Sequence, residues 1–476
     1  MNRREVLGGL GIASAHALWF AFGCGTPQRP RYRTTGVEAS GEIRTWLRDA
    51  VALIHGAGLT GHALAVSSRH TVAAQDVLGA GVGHSRADGV VLTARDAHGR
   101  REQVTTDLTR DGVIDAARKL AGNAAPGRID FGPPPPPAPV PRPDPDTLAD
   151  ANLIDSIGAV AKRDLGLSSR IVYASGLLEL DDALVWSVAA GRDLEQRLFR
   201  VRRALTRVAW NGTRPIISEV SRAWAGGIND QTFGDDELVY AREVALALMT
   251  PGEFADGVHE LVLAPDVVAG IVDSAARALY TPQAQRRPEV SRRLVVGKMV
   301  ASSSFTLVDD PTVANAYGGF RFDDGGGVAE AVPIIDHGKL GRLLASGRRP
   351  GHVGPLEVSP SHLRVAPGTV ADNLVVDDGF LLEGNRGVLV DPASDRIVIA
   401  VQRALEVKHG QRTGRVYADI ELVGELATLL GSIGDATQLT RTIGIRDERD
   451  GLPRWRSVEA PWLRAKGLIR ARRRST

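Results

Sequence analysis

His259-Glu260 is the residue pair that opens many zinc-hydrolase motifs. In such sites an imidazole ligates the metal and a carboxylate acts as general base on the bound water. Zinc needs further ligands, and here Leu261, Val262, Leu263, Ala264 and Pro265 follow. The helix-like run from Val267 to Tyr280 carries no histidine. The pair therefore reads as a turn position at the start of a strand. Four more histidines, His337, His352, His362 and His409, lie in the C-terminal half, where Asp336 or Glu406 could add a carboxylate. Nothing in their spacing requires them to converge.

Asp309-Asp310-Pro311 and Asp323-Asp324-Gly325 have the form of paired acid/base carboxylates. Both also have the composition of hairpin turns, where Asp, Gly and Pro serve the backbone, and that reading is preferred. Ser302-Ser303-Ser304 has no identifiable base. No nucleophile elbow, Walker loop or dinucleotide fingerprint is present, and the glycine-rich Gly79 to Gly83 does not lead into a helix. Cys24 is the only cysteine. It precedes the folded region, which excludes a disulfide or a thiolate metal site there.

The chain has 476 residues, 43% hydrophobic and 24% charged, with a net charge of +2. That composition is globular, long enough for two or three domains, and too balanced in charge for a nucleic-acid binder. The first residues, Asn2-Arg3-Arg4-Glu5-Val6-Leu7, resemble a twin-arginine export signal. A weakly apolar stretch follows, too short and Gly/Ala-rich to span a membrane. It ends in Ala21-Phe22-Gly23-Cys24, which resembles a lipobox with Cys24 as the lipidated residue. The expectation is export by the twin-arginine route to the periplasm or cell envelope, with membrane anchoring if Cys24 is lipidated.

The elements that must position these residues fall into segments. Residues 1–24 are the signal. Residues 40–130 read as an α/β unit. Ile43, Leu47, Val51 and Ile54 mark one helix face, and short strands are expected at His62–Val66, Thr71–Val77 and Gly89–Ala94 before a helix over Leu108–Ala121. Residues 131–146, nine of them proline, read as a stiff extended linker. Residues 147–250 form a central α/β segment. It opens with a helix and continues with short strands at Ile171–Ala174, Leu177–Leu180 and Ala183–Ala189. Leu194–Trp210 is readable as helix or strand, and a helix over Asp235–Met249 is stopped by Pro251-Gly252. Residues 251–450 are β-rich, with short apolar runs between turn signals. Residues 451–476, with Arg464, Lys466, Arg470, Arg472, Arg473 and Arg474, read as a solvated basic tail. The fold class is α+β: an N-terminal α/β unit, then a mainly antiparallel β-rich C-terminal domain.

A succession of stretches carries a further signal. These are ELVLAPDVVAGIV (260–272), SSFTLVDDPTVANAYGGFRFDDGG (303–326), VPIIDHGKLGRLLAS (332–346), LRVAPGT (363–369), DNLVVDDGFLLEG (372–384) and GRVYADIELVGELATLLGSIG (414–434). With LGAGVGHSRADG (78–89), their order and spacing resemble the TldD/PmbA family, the modulator-of-gyrase type of metallopeptidase-related proteins. The resemblance covers most of residues 40–440. Catalytic members carry HExxxH on the helix after the equivalent of LVLAP, and a cysteine ligand. In this chain the resemblance puts Val272 and Asp273 in the HE slot and Arg277 in the second histidine's place. Slipped by one residue, it puts Asp273 and Ser274 there, with Ala278 opposite. Valine cannot ligate a metal, and arginine stays protonated with no lone pair to give. No metal residue and no catalytic residue is assigned, and no cofactor is expected.

The resemblance implies the PmbA-like (TldE) branch, whose members lack HExxxH and act as partners of a TldD-type catalytic subunit. This chain then reads as an exported, noncatalytic partner or peptide-binding subunit in proteolysis. Its partners are a TldD-like subunit or further copies of itself, and unfolded peptide, with no nucleic acid. Two rival readings are an active zinc metallopeptidase with a nonstandard site and a lipid-anchored envelope scaffold.

Overall fold

The computed structural model describes residues 40–76, 79–132, 149–166, 168–213, 215–344, 358–371, 376–449 and 452–472. Arg3, Arg4, Cys24, His352, Arg473, Arg474 and nearly all of the proline run lie outside the described residues. Among the described residues no helix is long and apolar enough to cross a membrane.

The N-terminal half begins with helix α1 (Ser40–Gly56) and strands β1 (Thr60–Gln75), β2 (Ala80–Asp96) and β3 (Gly99–Thr105). Helices α2 (Arg110–Ala121) and α3 (Asp150–Gly166) precede β4 (Ile171–Ala189), β5 (Arg192–Trp210) and β6 (Pro215–Ala225). Thr109 caps α2 by accepting from the Gly112 N–H at 3.1 Å, one of the helix's otherwise orphan donors. The six strands make one antiparallel sheet in the order β3-β2-β1-β4-β5-β6. The expected boundary between residues 40–130 and 147–250 is therefore no structural boundary, because β4 pairs along β1 from Ala189 opposite His62 to Gly176 opposite Gln75.

Alternation assigns the two faces. Ala63, Ala65, Val90 and Leu92 bury against Ile43, Leu47, Val51 and Ile54 of α1 and the apolar face of α2. Their neighbours Leu64, Val66 and Val91 point the other way and pack with Phe322 from the C-terminal half. The strands expected as short pieces are fused into long ones. His62–Val66 and Thr71–Val77 belong largely to β1, and the three pieces over Ile171–Ala189 are all β4. Leu194–Trp210 is strand.

Helix α4 (Asp235–Ala247) leads to β7 (Gly257–Leu263) and helix α5 (Pro265–Leu279). Then come β8 (Leu307–Asp309), β9 (Val332–Asp336), β10 (Lys339–Leu340), β11 (His362–Val365), β12 (Gly379–Val390), β13 (Arg396–Lys408), β14 (Gln411–Glu425), β15 (Ala436–Arg449) and β16 (Leu452–Ala471). All nine belong with β7 to one hydrogen-bonded, mostly antiparallel system of ten strands. Within it β7, β12, β13, β14 and β16 close a ring, since β16 pairs with both β14 and β7. A closed ring leaves none of these pairings open as an edge.

Residues 451–476, expected as a solvated tail, thus hold the strand that closes the ring. Val458, Ala460, Ala465 and Ile469 of β16 are buried, and four of the basic residues, Arg464, Lys466, Arg470 and Arg472, face acids across the sheet. Arg464 and Lys466 approach Glu260 at 3.5 and 3.9 Å, and Arg470 pairs with Glu421 at 2.8 Å.

Candidate functional site

Helix α5 would carry the chemistry if any residue did. Pro265 sits in its first turn after an extended Ala264, Asp266 complements its N-terminus and Arg277 its C-terminus. Gly270 lets it lie close on β12: a Cβ there would stand 2.2 Å from Asn385 Nδ2. Asp266 accepts from the Asn385 N–H at 2.8 Å, fixing the helix start to the same strand, and burial raises its pKa.

Val272 is buried in the apolar core. Asp273 is also buried, at 3% exposure, and its partner comes from β16. Arg456 Nε donates to Asp273 Oδ1 at 2.7 Å, and Arg456 Nη2 to Oδ2 at 3.3 Å. Arg277, one helical turn on, donates from Nε to Oδ2 at 3.0 Å. The forked geometry on Arg456 matches a bidentate guanidinium–carboxylate pair. Both of its side chains are almost wholly removed from water, whereas Arg277 is 43% exposed.

Zinc does not fit this donor set. Val272, Arg277 and Arg456 offer no lone pair, and a dication beside Asp273 would meet two guanidinium charges. Among the described residues no group of three His, Asp or Glu side chains is placed to hold a metal.

The remaining candidate residues separate in space. His259-Glu260 lies within β7, not in a turn before it. Glu260 is opposite Gly379 on one side and Lys466 on the other, so the ring holds that backbone extended on both edges. His259 packs edge-on to Phe380 at 4.8 Å and near Phe254 at 6.2 Å, and burial lowers its pKa. His337 and His409 stand in turns at positive φ. The His337 ring lies 2.8 Å from its neighbour Asp336, and its backbone N–H donates to Thr306 Oγ1 at 3.1 Å. His362 is buried on β11, with Nδ1 2.8 Å from Ser457 Oγ, and burial lowers its pKa to about 4.

Asp323 occupies the expected tight turn, accepting from Gly325 and Gly327 N–H at 2.9 and 2.8 Å. Asp309 does not. It ends β8 as a buried acceptor for the Ser361 N–H, the Ser361 hydroxyl and the His362 N–H, at 3.0, 2.7 and 2.9 Å.

Sequence reasoning missed Arg456, and with it the seam that β16 makes with the N-terminal half. Trp455, the preceding residue, donates from Nε1 to Asp181 on β4 at 2.6 Å, and Asp181 also accepts from His70 on β1 at 2.8 Å. Arg200 on β5 stacks on the Trp455 ring at 4.7 Å and donates to the Tyr317 carbonyl at 2.8 Å. Gln196 holds the next loop through Phe322 O and Arg321 N–H, both at 2.9 Å. The available signal was the run of apolar residues between the arginines from Trp455 to Ile469, a pattern a frayed tail has no reason to keep.

Residues 256–469 match the PmbA/TldA metallopeptidase C-terminal domain. A metalloprotease of Methanocaldococcus jannaschii is 25% identical over 233 residues, 45% of this chain and 51% of that protein. A metalloprotease of Methanothermobacter thermautotrophicus is 22% identical over 300 residues, 59% of this chain and 64% of that one. The chain thus spans between half and two thirds of the length of these curated relatives. In fold it is similar to a protein described as a modulator of DNA gyrase from Bacteroides thetaiotaomicron, with TM-score 0.70, 16% identity, and coverage of 91% of this chain and 99% of that one. It is similar also to TldE from Thermococcus kodakarensis, with TM-score 0.69, 14% identity, and coverage of 90% and 100%.

Proposed function

We propose that this chain, whose residues 256–469 match the PmbA/TldA metallopeptidase C-terminal domain, is a noncatalytic subunit of the metallopeptidase-related TldD/PmbA type that binds unfolded peptide or a TldD-like catalytic partner. The carrying observation is the Arg456–Asp273 pair. A buried guanidinium gives the carboxylate on α5 a fixed positive partner, and among the described residues no group of three His, Asp or Glu side chains is placed to hold a metal that would activate water. Export by the twin-arginine route to the periplasm or envelope, with lipid anchoring through Cys24, rests on Arg3, Arg4 and Cys24 in the sequence alone.

The test is the metal content of the purified mature protein, prepared without chelator, together with peptide cleavage in the presence and absence of a co-expressed TldD-like subunit. The reading expects no retained zinc, no cleavage by the isolated chain, and co-purification with the partner. Stoichiometric zinc that survives dialysis, with chelator-sensitive cleavage, would return the chain to the enzymes.

A further inference from the structure

We propose that the cleft between α4 and the β13–β14 hairpin binds an apolar α-amino acid. The cleft has a volume of about 160 Å³. That is close to the ~150 Å³ apolar cavity that holds a benzene ring in another protein. One wall is a face of α4, where Glu243, Val244 and Ala247 follow helical spacing, and the facing wall carries Leu405, Arg412 and Val416. Val244, Ala247, Leu405 and Val416 thus give an aliphatic patch with room for one branched or aromatic side chain, among the charged Glu243, Arg403, Glu406, Arg412 and Arg415.

Two opposite charges also line the cleft. Among the described residues Glu243 and Arg412 form no ion pair or side-chain hydrogen bond, although other charged groups of the cleft are paired and the Arg412 charge acts on nearby Tyr240. Arg403 is bound to Glu383 and to the Tyr240 hydroxyl, which itself donates to Glu383 at 2.6 Å. Glu406 accepts from Thr413 Oγ1 at 2.8 Å. A ligand with an apolar group, a carboxylate and an ammonium complements what is left: carboxylate to Arg412, ammonium to Glu243, side chain to the aliphatic patch.

The backbone is shaped for the site. The β13–β14 register shifts between Leu405 and Val407, so that Thr413, Gly414 and Arg415 bulge opposite Glu406. Gly414 takes φ +80°, and a Cβ there would be strained. Bulges that interrupt a regular hairpin are recurrent devices for re-aiming side chains beside a binding site. The cleft shares no residue with the α5 slot, and its ligand does not depend on whether the chain cleaves peptides.

Calorimetric titration of the full chain tests the assignment. The probes are L-leucine and L-phenylalanine, with leucinamide lacking the carboxylate and N-acetyl-leucine lacking the ammonium. Leucine should bind about tenfold more tightly than either analogue, one charge-assisted contact being lost in each. Arg412→Gln should erase the gap between leucine and leucinamide. Glu243→Gln should erase the gap between leucine and N-acetyl-leucine. Both residues are exposed, so these variants should fold, and circular dichroism checks that they do. No binding of leucine or phenylalanine at millimolar concentration, or gaps that persist in the matching variants, overturns the proposal.

Discussion

Replacing Asp273 with alanine removes the carboxylate that Arg456 and Arg277 share. Arg456 is 3% exposed at its side chain and cannot turn to water without opening the contact between α5 and β16. Breaking one side of a buried pair leaves an uncompensated charge and costs about 3–5 kcal/mol. Arg277 is 43% exposed, so its share of the loss is that of a surface pair, roughly 0–1 kcal/mol. Asp273→Ala should therefore lower stability by about 3–5 kcal/mol, and Arg277→Ala by less than about 1 kcal/mol. The double change Asp273→Leu with Arg456→Met removes both charges and keeps side-chain volume. It should recover most of the loss, because a buried pair is often no better than an apolar replacement. Urea unfolding followed by tryptophan fluorescence reads all four proteins, with Trp455 adjacent to the pair. If Asp273→Ala costs less than about 1 kcal/mol, or the double variant is as unstable as the single one, the pair is not the buried cross-link argued here.

A chelator should leave the melting temperature unchanged, since no step of folding at α5 uses a metal; a reproducible fall on adding EDTA contradicts this. His362 is held neutral by burial, with its pKa lowered to about 4 from 6.5. Its folded form binds fewer protons than its unfolded form, so its contribution is complete above pH 6.5 and lost as pH falls towards 4. The shift corresponds to about 3 kcal/mol. His362→Gln should flatten the stability profile in that window, and an unchanged slope would remove His362 as its source; His62, lowered to about 4 by burial and by nearby Arg192, should act in the same direction. Gly379→Ala would set a Cβ 2.1 Å from the Glu260 carbonyl, inside the ring, and should cost ~2 kcal/mol or more in the same urea assay.

Local pattern carried the helices well. Ile43, Leu47, Val51 and Ile54 are all buried on one face of α1, and α4 ends close to Pro251-Gly252. It failed on strand length. Ser67 to His70 look like a break in β1, yet they only line the less buried stretch of a continuous strand that faces the seam. It failed again on arginines. Arg200 and Arg456 are both nearly inaccessible, and only contacts far along the chain explain them: Arg200 reaches Tyr317, and Arg456 reaches Asp273, 183 residues away. No window of neighbouring residues contains that partner. That Val272 and Arg277 cannot ligate a metal was legible locally; that Asp273 pairs with Arg456 was not.

The pairing of Leu263 with Leu463 has a consequence for biosynthesis. On the ribosome, β7 emerges two hundred residues before the strand that must lie beside it. Until β16 is made, β7 and β14 each present an unpaired edge, and Asp273 has no Arg456. The C-terminal domain is thus committed to folding late, after most of its length has been translated, and the nascent chain needs protection from strand-to-strand association in the interval. A premature stop before residue 452 would remove the closing strand and the buried counter-charge together, and should give an aggregation-prone product instead of a shortened but native domain.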